Sequence, residues 1–444
     1  MGAAREHWGS RFGFIMAAAG SAVGLGNVWR FPYTTGTNGG AAFLLIYLAL
    51  IIGFGFALAI AEMLVGRSAQ RNPVGAFRAL GGRGWPVVGY LGITTGFVIL
   101  SFYAVVAGWT LAYIVMMISG NLGTTDPEAL NQIFGGFVSD PVRPVLYSAV
   151  FMALTGWIVI GGISHGIERW NKVLMPALFV ILLVLVVRSL SLPGASAGVD
   201  FYLKPDFSKV TSQTFYDAIA QAFFSLSIGM GTLLTYGSYL SKDEHLPKAA
   251  LTVVLIDSGV AILAGLMILP AVFAFGFNPS AGPGLTFVTL PAVFASMPGG
   301  VFFGVLFFAL LAIAALTSAV SILEPMISYF VDEHGTSRHR AVIVAGLVCF
   351  GLSVPASLSF GPAADVTIAG KNWFDLMDFL ANNVMLPLGG LLTAIFVGWI
   401  WKAAENELRN DGRLHLPWVP AWHLVLRFLA PIGILWIMAS ALLF

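Results

Sequence analysis

Long apolar stretches separated by short polar segments recur along the whole chain. Eleven of them approach the length of about 20 residues that an α-helix needs to cross a bilayer. The pattern predicts an all-α, polytopic membrane protein in a single domain, residues 1–444. The predicted spans lie at about 11–35, 41–66, 87–119, 143–161, 168–190, 213–240, 248–276, 302–330, 339–356, 372–401 and 422–443.

Two of these spans, the first and the sixth, carry paired glycines near their centres: Gly24-x-Gly26 and Gly229-x-Gly231. Irregular backbone at membrane depth persists only where it lines a cavity or is buried in protein. Matching breaks five spans apart favour two inverted five-helix repeats with a binding site between them. Close helix packing at small residues is the alternative reading of each pair. The predicted repeats cover about 11–190 and 213–401, followed by an extra helix at about 422–443.

The basic residues predict an orientation. With the N-terminus inside, 16 of the 22 lysines and arginines fall on the inner side, as the positive-inside rule requires. The N-terminus is therefore expected in the cytoplasm and, with eleven spans, the C-terminus outside. No cleavable signal peptide is expected, since the polar start "MGAAREHWGSR" has no small-residue cleavage site after it. The outer loop at about 277–300 contains "PAVFASMPGG", which predicts a short helix packed on the bundle.

Composition supports the membrane assignment and narrows the function. Only 10% of residues are charged, against about 25% in soluble domains. The net charge of +1 indicates no polyanionic partner, so nucleic acid is not expected. A single cysteine, Cys349, excludes an intrachain disulfide and a cysteine-based zinc site.

Catalytic motifs are missing from the spans. The stretch "GLGNVWRFP" fails as a dinucleotide fingerprint because Trp29 stands at the third glycine position. There is no H-E-x-x-H motif and no clustered histidines at depth. The sequence therefore favours secondary transport over an intramembrane enzyme, with a channel or a transporter-like sensor as a further class.

Several polar residues lie at membrane depth. Asp257 has no basic residue near it in sequence, and a buried carboxylate needs a cation or a proton. It is either a functional ligand or a protonated packing residue. Near the helix breaks, Asn27 and Ser225 offer further oxygens, which suit a hard cation such as Na⁺. Thr317 and Ser318 form a hydroxyl pair, although such residues often bond back to their own helix.

Charged residues nearer the faces suggest gates or permanent ion pairs. Arg30 and Asp378 lie in the outer third of their spans, and Arg5 and Asp332 lie near the inner face. The sequence alone does not pair them.

Two glutamates in the spans are more ambiguous. Glu62 lies four residues before the inner end of its predicted span, close to Arg67, and is read as structural. Glu324 lies deeper and is read equally as structural or functional.

Several long motifs resemble the neurotransmitter:sodium symporters, above all the bacterial eleven-helix hydrophobic amino-acid transporters related to the bacterial leucine transporter. The match runs through spans 1 to 10 in order. It implies the fold of that family, with two inverted repeats and spans 1 and 6 unwound at the centre. The motifs are "REHWGSRFGFIMAAAGSAVGLGNVWRFPY", "NGGAAFLLIY", "GISHGIERWNKVLMP", "FFSLSIGMG" and "LTSAVSILEP".

Carried over residue by residue, the resemblance implies two Na⁺ sites. The first would use the carbonyl of Ala22 and the side chains of Asn27, Ser225 and Asp257, with the substrate carboxylate. The second would use the carbonyls of Gly20, Val23 and Ala314 and the hydroxyls of Thr317 and Ser318.

The resemblance also implies an amino-acid site between the breaks. The substrate carboxylate would meet the N–H groups of Leu25 and Gly26 and the hydroxyl of Tyr103. Arg30 and Asp378 would form the gate on the outer side of this site. Arg5 and Asp332, near Trp8 and Tyr239, would form the gate on the inner side. The implied substrate contacts are Ala22, Leu25, Gly26, Ile99, Tyr103, Phe224, Ser225, Ser227, Met230, Ser318 and Ile322.

Departures from the family pattern refine the function. Gly24 stands where amine-carrying members have aspartate, which favours an α-amino acid over an amine. Asp257 replaces a common asparagine, and its fixed charge would make chloride unnecessary, although Ala261 stands where the leucine transporter has an acid. Met230 replaces a common phenylalanine, and its flexible thioether suits large or varied apolar substrates.

Gly166 and Pro176 flank the inner start of span 5. The hypothesis is a hinge that unwinds to let water reach the second Na⁺ site, against a simple helix start with its usual proline. Ser21 replaces a common asparagine, and the missing twelfth span leaves the oligomeric state open. The sequence thus predicts Na⁺-coupled, chloride-independent import of hydrophobic L-amino acids, large aromatic ones included, by alternating access.

Overall fold

The computed structural model describes residues 6–280, 282 and 284–443. Its regular structure is helical, and within those residues the only β-type pairing is an isolated bridge between Ile368 and Lys371. The predicted all-α architecture is therefore confirmed.

Eleven apolar helices, named α1–α11, follow the predicted spans with ends that differ by a few residues. Two of them, α1 and α6, consist of two shorter helices separated by a break. The bounds are Arg11–Ala22 and Gly26–Thr37 (α1), Ala41–Ala69 (α2), Pro86–Ile118 (α3), Arg143–Ile160 (α4), Ile163–Leu190 (α5), Ser212–Ser225 and Thr232–Gly237 (α6), Leu246–Ala274 (α7), Gly300–His334 (α8), Arg338–Leu358 (α9), Trp373–Ile400 (α10) and Val419–Ser440 (α11).

The two breaks fall where the glycine pairs predicted them. Nine helices in the described part of the chain are uninterrupted and long enough to cross a membrane. The halves of α1 meet at an angle of 49° and together give a tenth. Each half of α6 is too short to cross alone, because six residues of irregular backbone separate them.

Short helices fill several of the connections. The one predicted in the loop at about 277–300 is present as Leu285–Ala295. Others were not predicted: the loops at about 120–142 and 191–212 contain Pro127–Val138 and Ala195–Leu203. Pro127–Val138 begins at an Asp126 cap with proline at its first position, a standard helix start. The sequence analysis did not predict it, because a short amphipathic helix in a loop gives a weaker hydropathy signal than a span.

The broken helices lie in the interior. The first half of α1 packs against α5, α7 and α8, and α3 packs along α8. The second half of α6 is pressed onto α2, where a Cβ on Gly66 would lie 1.8 Å from the carbonyl oxygen of Leu234. This close approach fixes α6 in place and leaves the two breaks facing each other in the core.

Candidate substrate and sodium site

The break in α1 starts at Val23, whose extended backbone (φ −76°, ψ 98°) ends the first half-helix. Asn27 stabilises the irregular turn by accepting a hydrogen bond from the N–H of Gly24 at 3.2 Å. A Cβ on Gly24 would lie only 3.0 Å from the Ser318 Oγ and from the Tyr103 hydroxyl. A side chain at this position would be crowded, because two neighbouring helices approach the backbone closely.

The break in α6 uses left-handed backbone. Ser227, Gly229 and Gly231 have φ values of 55°, 90° and 74°, a region that glycine adopts without strain. The Ser227 hydroxyl donates to the carbonyl of Ser21 at 3.1 Å, which ties the α6 break to α1.

Glu62 stabilises the α6 break through a hydrogen bond. Its Oε1 accepts a hydrogen bond from the Gly229 N–H at 2.7 Å, and the side chain is buried. Glu62 and Arg67 form no ion pair with each other in the described part of the chain. The Arg67 guanidinium turns away to the loops and donates to the carbonyl of Glu244 and the side chain of Asn410, both at 2.8 Å.

A buried polar cluster joins α1, α6, α7 and α2. Asp257 accepts hydrogen bonds from the Asn27 amide at 2.7 Å and from the Ser225 hydroxyl at 2.9 Å to both carboxyl oxygens. Tyr47 adds a longer contact of 3.4 Å. All the recorded donors are uncharged, so the carboxylate has neutral partners only among the described residues. The three side chains assigned to the first Na⁺ site are thus brought together.

Two members of this neighbourhood were not anticipated. Tyr47 lies in α2, and Gln221 donates to the carbonyl of Gly26 at 2.8 Å across the α1–α6 contact. The sequence feature that could have indicated Gln221 is that it is a glutamine within an apolar span, four residues before Ser225.

The residues assigned to the second Na⁺ site lie between α1 and α8. A Cβ on Gly20 would lie 3.2 Å from the Thr317 Cβ, so the helices nearly touch. The Thr317 hydroxyl donates back to Ile313 and Ala314 carbonyls at 3.1 Å, and the Ser318 hydroxyl reaches the carbonyl of Ser21 at 3.3 Å.

Two further residues border this region. Val23 is buried in the α1 break. The Asn171 side-chain oxygen, beside Gly20, has no hydrogen-bond partner in the described part of the chain and was not predicted.

A narrow cavity lies between the two breaks. Its polar side carries the Tyr103 hydroxyl, which accepts a hydrogen bond from the Leu25 N–H at 3.3 Å. Ser225 points away from it toward Asp257, and the other ten residues assigned to the substrate line it together with Gly24. The full lining is Ala22, Gly24, Leu25, Gly26, Ile99, Tyr103, Phe224, Ser227, Met230, Ser318 and Ile322.

A second cavity adjoins the first. Leu25, Tyr103 and Phe224 line both cavities, so their side chains form the partition. Arg30 and Asp378 line the second cavity, and the Arg30 guanidinium lies over the Phe224 ring at 5.2 Å. The structure records no ion pair between Arg30 and Asp378. Asp378 instead accepts from the Asn382 amide at 2.7 Å.

At the end of the helix bundle opposite Arg30 and Asp378, aromatic and charged side chains pack together. The Trp8 indole packs edge-on against Tyr236 and Tyr239 and donates to the carbonyl of Tyr236 at 3.0 Å. Glu324 accepts from the Tyr239 hydroxyl at 2.8 Å and forms a salt bridge with Arg338 at 2.5 Å.

Of the residues assigned to the inner gate and the hinge, the structure describes Asp332, Gly166 and Pro176. Asp332 accepts a hydrogen bond from the backbone of Asn72 at 3.0 Å, and Arg5 lies outside the described residues. In α5, Pro176 lies within continuous helix, and Gly166 lies in the wider π-helical turn before it. A Cβ on Gly166 would meet the Ile158 carbonyl oxygen at 2.2 Å, so this turn tolerates only glycine.

Known proteins match the chain over most of its length. The model of the sodium:neurotransmitter symporter family matches residues 5–130 and 141–443. An uncharacterised sodium-dependent transporter of Bacillus subtilis is 41% identical over 431 residues, 96% of each chain. A sodium- and chloride-dependent taurine transporter of Bos taurus is 28% identical over 89% of this chain and 72% of its own.

A solved structure gives the same result for the fold. The crystal structure of MhsT in complex with L-phenylalanine superposes with a TM-score of 0.91 and 49% sequence identity, covering 99% of this chain and 100% of that one. The predicted architecture, with inverted repeats and broken first and sixth helices, is thereby confirmed. The chain is a multi-pass, sodium-dependent transporter and belongs to the sodium:neurotransmitter symporter family.

Proposed function

We propose that the protein imports hydrophobic L-amino acids, large aromatic ones included, together with Na⁺ by alternating access. The observation that carries the proposal is the narrow cavity between the two helix breaks, which adjoins the buried Asp257 cluster through the α1 turn. Such a cavity offers backbone polar groups at membrane depth, where they are otherwise too costly to leave unsatisfied.

The polar end of the cavity suits an α-amino acid. The N–H groups at the start of the second half of α1 and the Tyr103 hydroxyl are donors for a carboxylate. Gly24 has no side chain, so this position offers no carboxylate to pair with the amino group of an amine substrate. The amino group would meet carbonyl oxygens near Ala22, Phe224 and Ser227.

The other end suits an apolar side chain. Ile99, Met230 and Ile322 line it, and the unbranched Met230 adapts to differently shaped groups. The phenylalanine bound to MhsT, 49% identical to this chain, supports an aromatic ligand of this size.

Two Na⁺ ions are proposed as co-substrates. The first would lie among the Ala22 carbonyl, Asn27, Ser225 and Asp257 and contact the substrate carboxylate. The second would lie among the carbonyls and hydroxyls of Gly20, Val23, Ala314, Thr317 and Ser318. Oxygen ligands of this kind fit a hard monovalent cation.

Chloride independence follows from charge. In the first site the Asp257 carboxylate supplies a fixed negative charge beside the cation, which is the part a bound anion plays in a chloride-dependent member. The bovine taurine transporter is named as sodium- and chloride-dependent, and chloride dependence is a property in which this chain is proposed to differ from it.

The transport cycle is proposed to alternate between the two ends. Arg30 and Asp378 would close the outer cavity over Phe224, and Asp332 with Arg5 would close the inner end. Gly166 and Pro176 would let α5 unwind and admit water to the second Na⁺ site. The protein is proposed to lie in a bacterial plasma membrane with its N-terminus in the cytoplasm and its C-terminus outside.

Uptake into proteoliposomes tests the proposal. Labelled phenylalanine should accumulate above its external concentration under an inward Na⁺ gradient, equally with chloride or gluconate as the anion. A panel of the twenty amino acids as competitors defines the substrate class. Sodium-dependent binding without accumulation would instead indicate a sensor, and conductance that does not saturate would indicate a channel.

A further inference from the structure

A basic pocket lies between the end of α10 and the start of α11. Its walls include Lys402, Arg409 and Arg427, with Glu405 and His423 on the same lining. The site is far along the chain from every residue assigned to substrate or Na⁺. We propose that this basic pocket binds the phosphate of an anionic phospholipid headgroup.

The charges in the basic pocket leave a surplus of cations. The only carboxylate on its lining, that of Glu405, faces the His423 ring and forms a close contact with Nδ1. None of the three basic side chains forms an ion pair with a described residue. Cations gathered without counter-charges attract an anion.

Arg427 is positioned to bind that anion. Its Nε donates to the carbonyl of Gly398 at 2.6 Å, and its guanidinium lies 5.5 Å from the Trp399 ring centre. These contacts fix the plane of the group, and its two terminal nitrogens make no hydrogen bond to the described residues. A fixed guanidinium with two free donors matches the geometry of a phosphate.

The surroundings select a lipid over a free anion. Exposed apolar side chains flank Arg427 on α11: Leu424 is 54% exposed, Phe428 46% and Ile432 65%. Trp399, which is 52% exposed, stands beside them as an interfacial anchor. A surface of this kind faces acyl chains, so an exposed arginine within it places its charge at headgroup level.

The basic pocket also lies on the side of the bilayer where anionic lipids attract basic residues. Arg67, at the inner end of α2, donates to Asn410 in the same α10–α11 connection. With the proposed orientation this is the cytoplasmic leaflet, whose negative lipids bind basic pockets between membrane helices. The inference rests on the membrane-spanning fold and is independent of the transported substrate.

The test compares lipids on the purified full-length transporter in a neutral detergent. Thermal unfolding is followed while phosphatidylglycerol, phosphatidylcholine or inorganic phosphate is added. Only phosphatidylglycerol should stabilise the wild type. The double variant K402Q/R409Q keeps the Arg427 contacts with α10 and should weaken the apparent affinity for phosphatidylglycerol by roughly thirtyfold, as expected for two surface cations.

The matched control is K242Q/R340Q, which removes two exposed cations from the same side outside the basic pocket. It should leave the affinity within about twofold of the wild type, a range set by screening of distant surface charge. Equal stabilisation by phosphatidylcholine, or an equal loss in the control, would overturn the proposal. If inorganic phosphate alone reproduced the effect, the pocket would be a free-anion site and the lipid assignment would be wrong.

Discussion

Replacing Asp257 by asparagine tests the first Na⁺ site most directly, because it removes one charge and almost no volume. In the structure the carboxylate has the Asn27 amide at 2.7 Å and the Ser225 hydroxyl at 2.9 Å. A cation bound by the same side chains would therefore lie within about 4 Å of Asp257. At that distance a unit charge contributes about 4 kcal/mol at the effective dielectric constant of a protein site.

That energy corresponds to a loss of about a thousandfold in affinity for the first Na⁺. The assay is binding of labelled phenylalanine to the purified protein as Na⁺ is titrated in chloride-free gluconate buffer. The wild type should saturate in this buffer, and D257N should bind weakly at any practical Na⁺ concentration. Adding chloride should restore binding to D257N, because a mobile anion then supplies the missing charge.

The matched control is E62Q. Glu62 is also a buried carboxyl group near a helix break, but it contacts the Gly229 N–H and none of the Asp257 cluster. Chloride should have no effect on E62Q. The reasoning is refuted if D257N keeps its Na⁺ affinity without chloride, or if chloride rescues both variants alike.

Three further substitutions probe the pocket and the hinge. M230F stiffens the apolar end of the cavity and should weaken tryptophan competition about tenfold relative to leucine, consistent with about 1–3 kcal/mol for one misplaced apolar group; an unchanged competition profile would contradict a pocket role. G24D places a carboxylate where even a Cβ lies 3.0 Å from Tyr103 and Ser318, so amino-acid binding should be lost, while the matched G84D, at an exposed glycine outside the spans with open space around it, should retain binding. P176A should slow uptake several-fold and leave equilibrium binding nearly unchanged, and equal effects on both would reject the hinge.

Local patterns were sufficient to predict the helices and their breaks. Hydropathy and the glycine pairs are properties of short local segments. The approximate ends of the spans and the interruptions of α1 and α6 could therefore be predicted from the sequence. The residues around the cavity could be assigned because long motifs carry them in a fixed order.

Contacts between distant segments were not predictable in the same way. Glu62 meets Gly229 and Gln221 meets Gly26 across more than 160 residues, and no spacing rule links such positions. Arg30 and Asp378 line one cavity without forming an ion pair, and no sequence pattern indicates that separation. The helix Pro127–Val138 was missed because amphipathic loop helices give weaker signals than spans.

The partition shared by the two cavities has a kinetic consequence. Phe224 lines both the cavity proposed for the ligand and the cavity that Arg30 lines. In the proposed cycle this ring must move before the ligand can leave, so a bulkier ligand would press on the side chain that controls its exit. Substrate size is thus coupled to residence time, and ligands of equal affinity are expected to differ in how long they stay and in how quickly each cycle turns over.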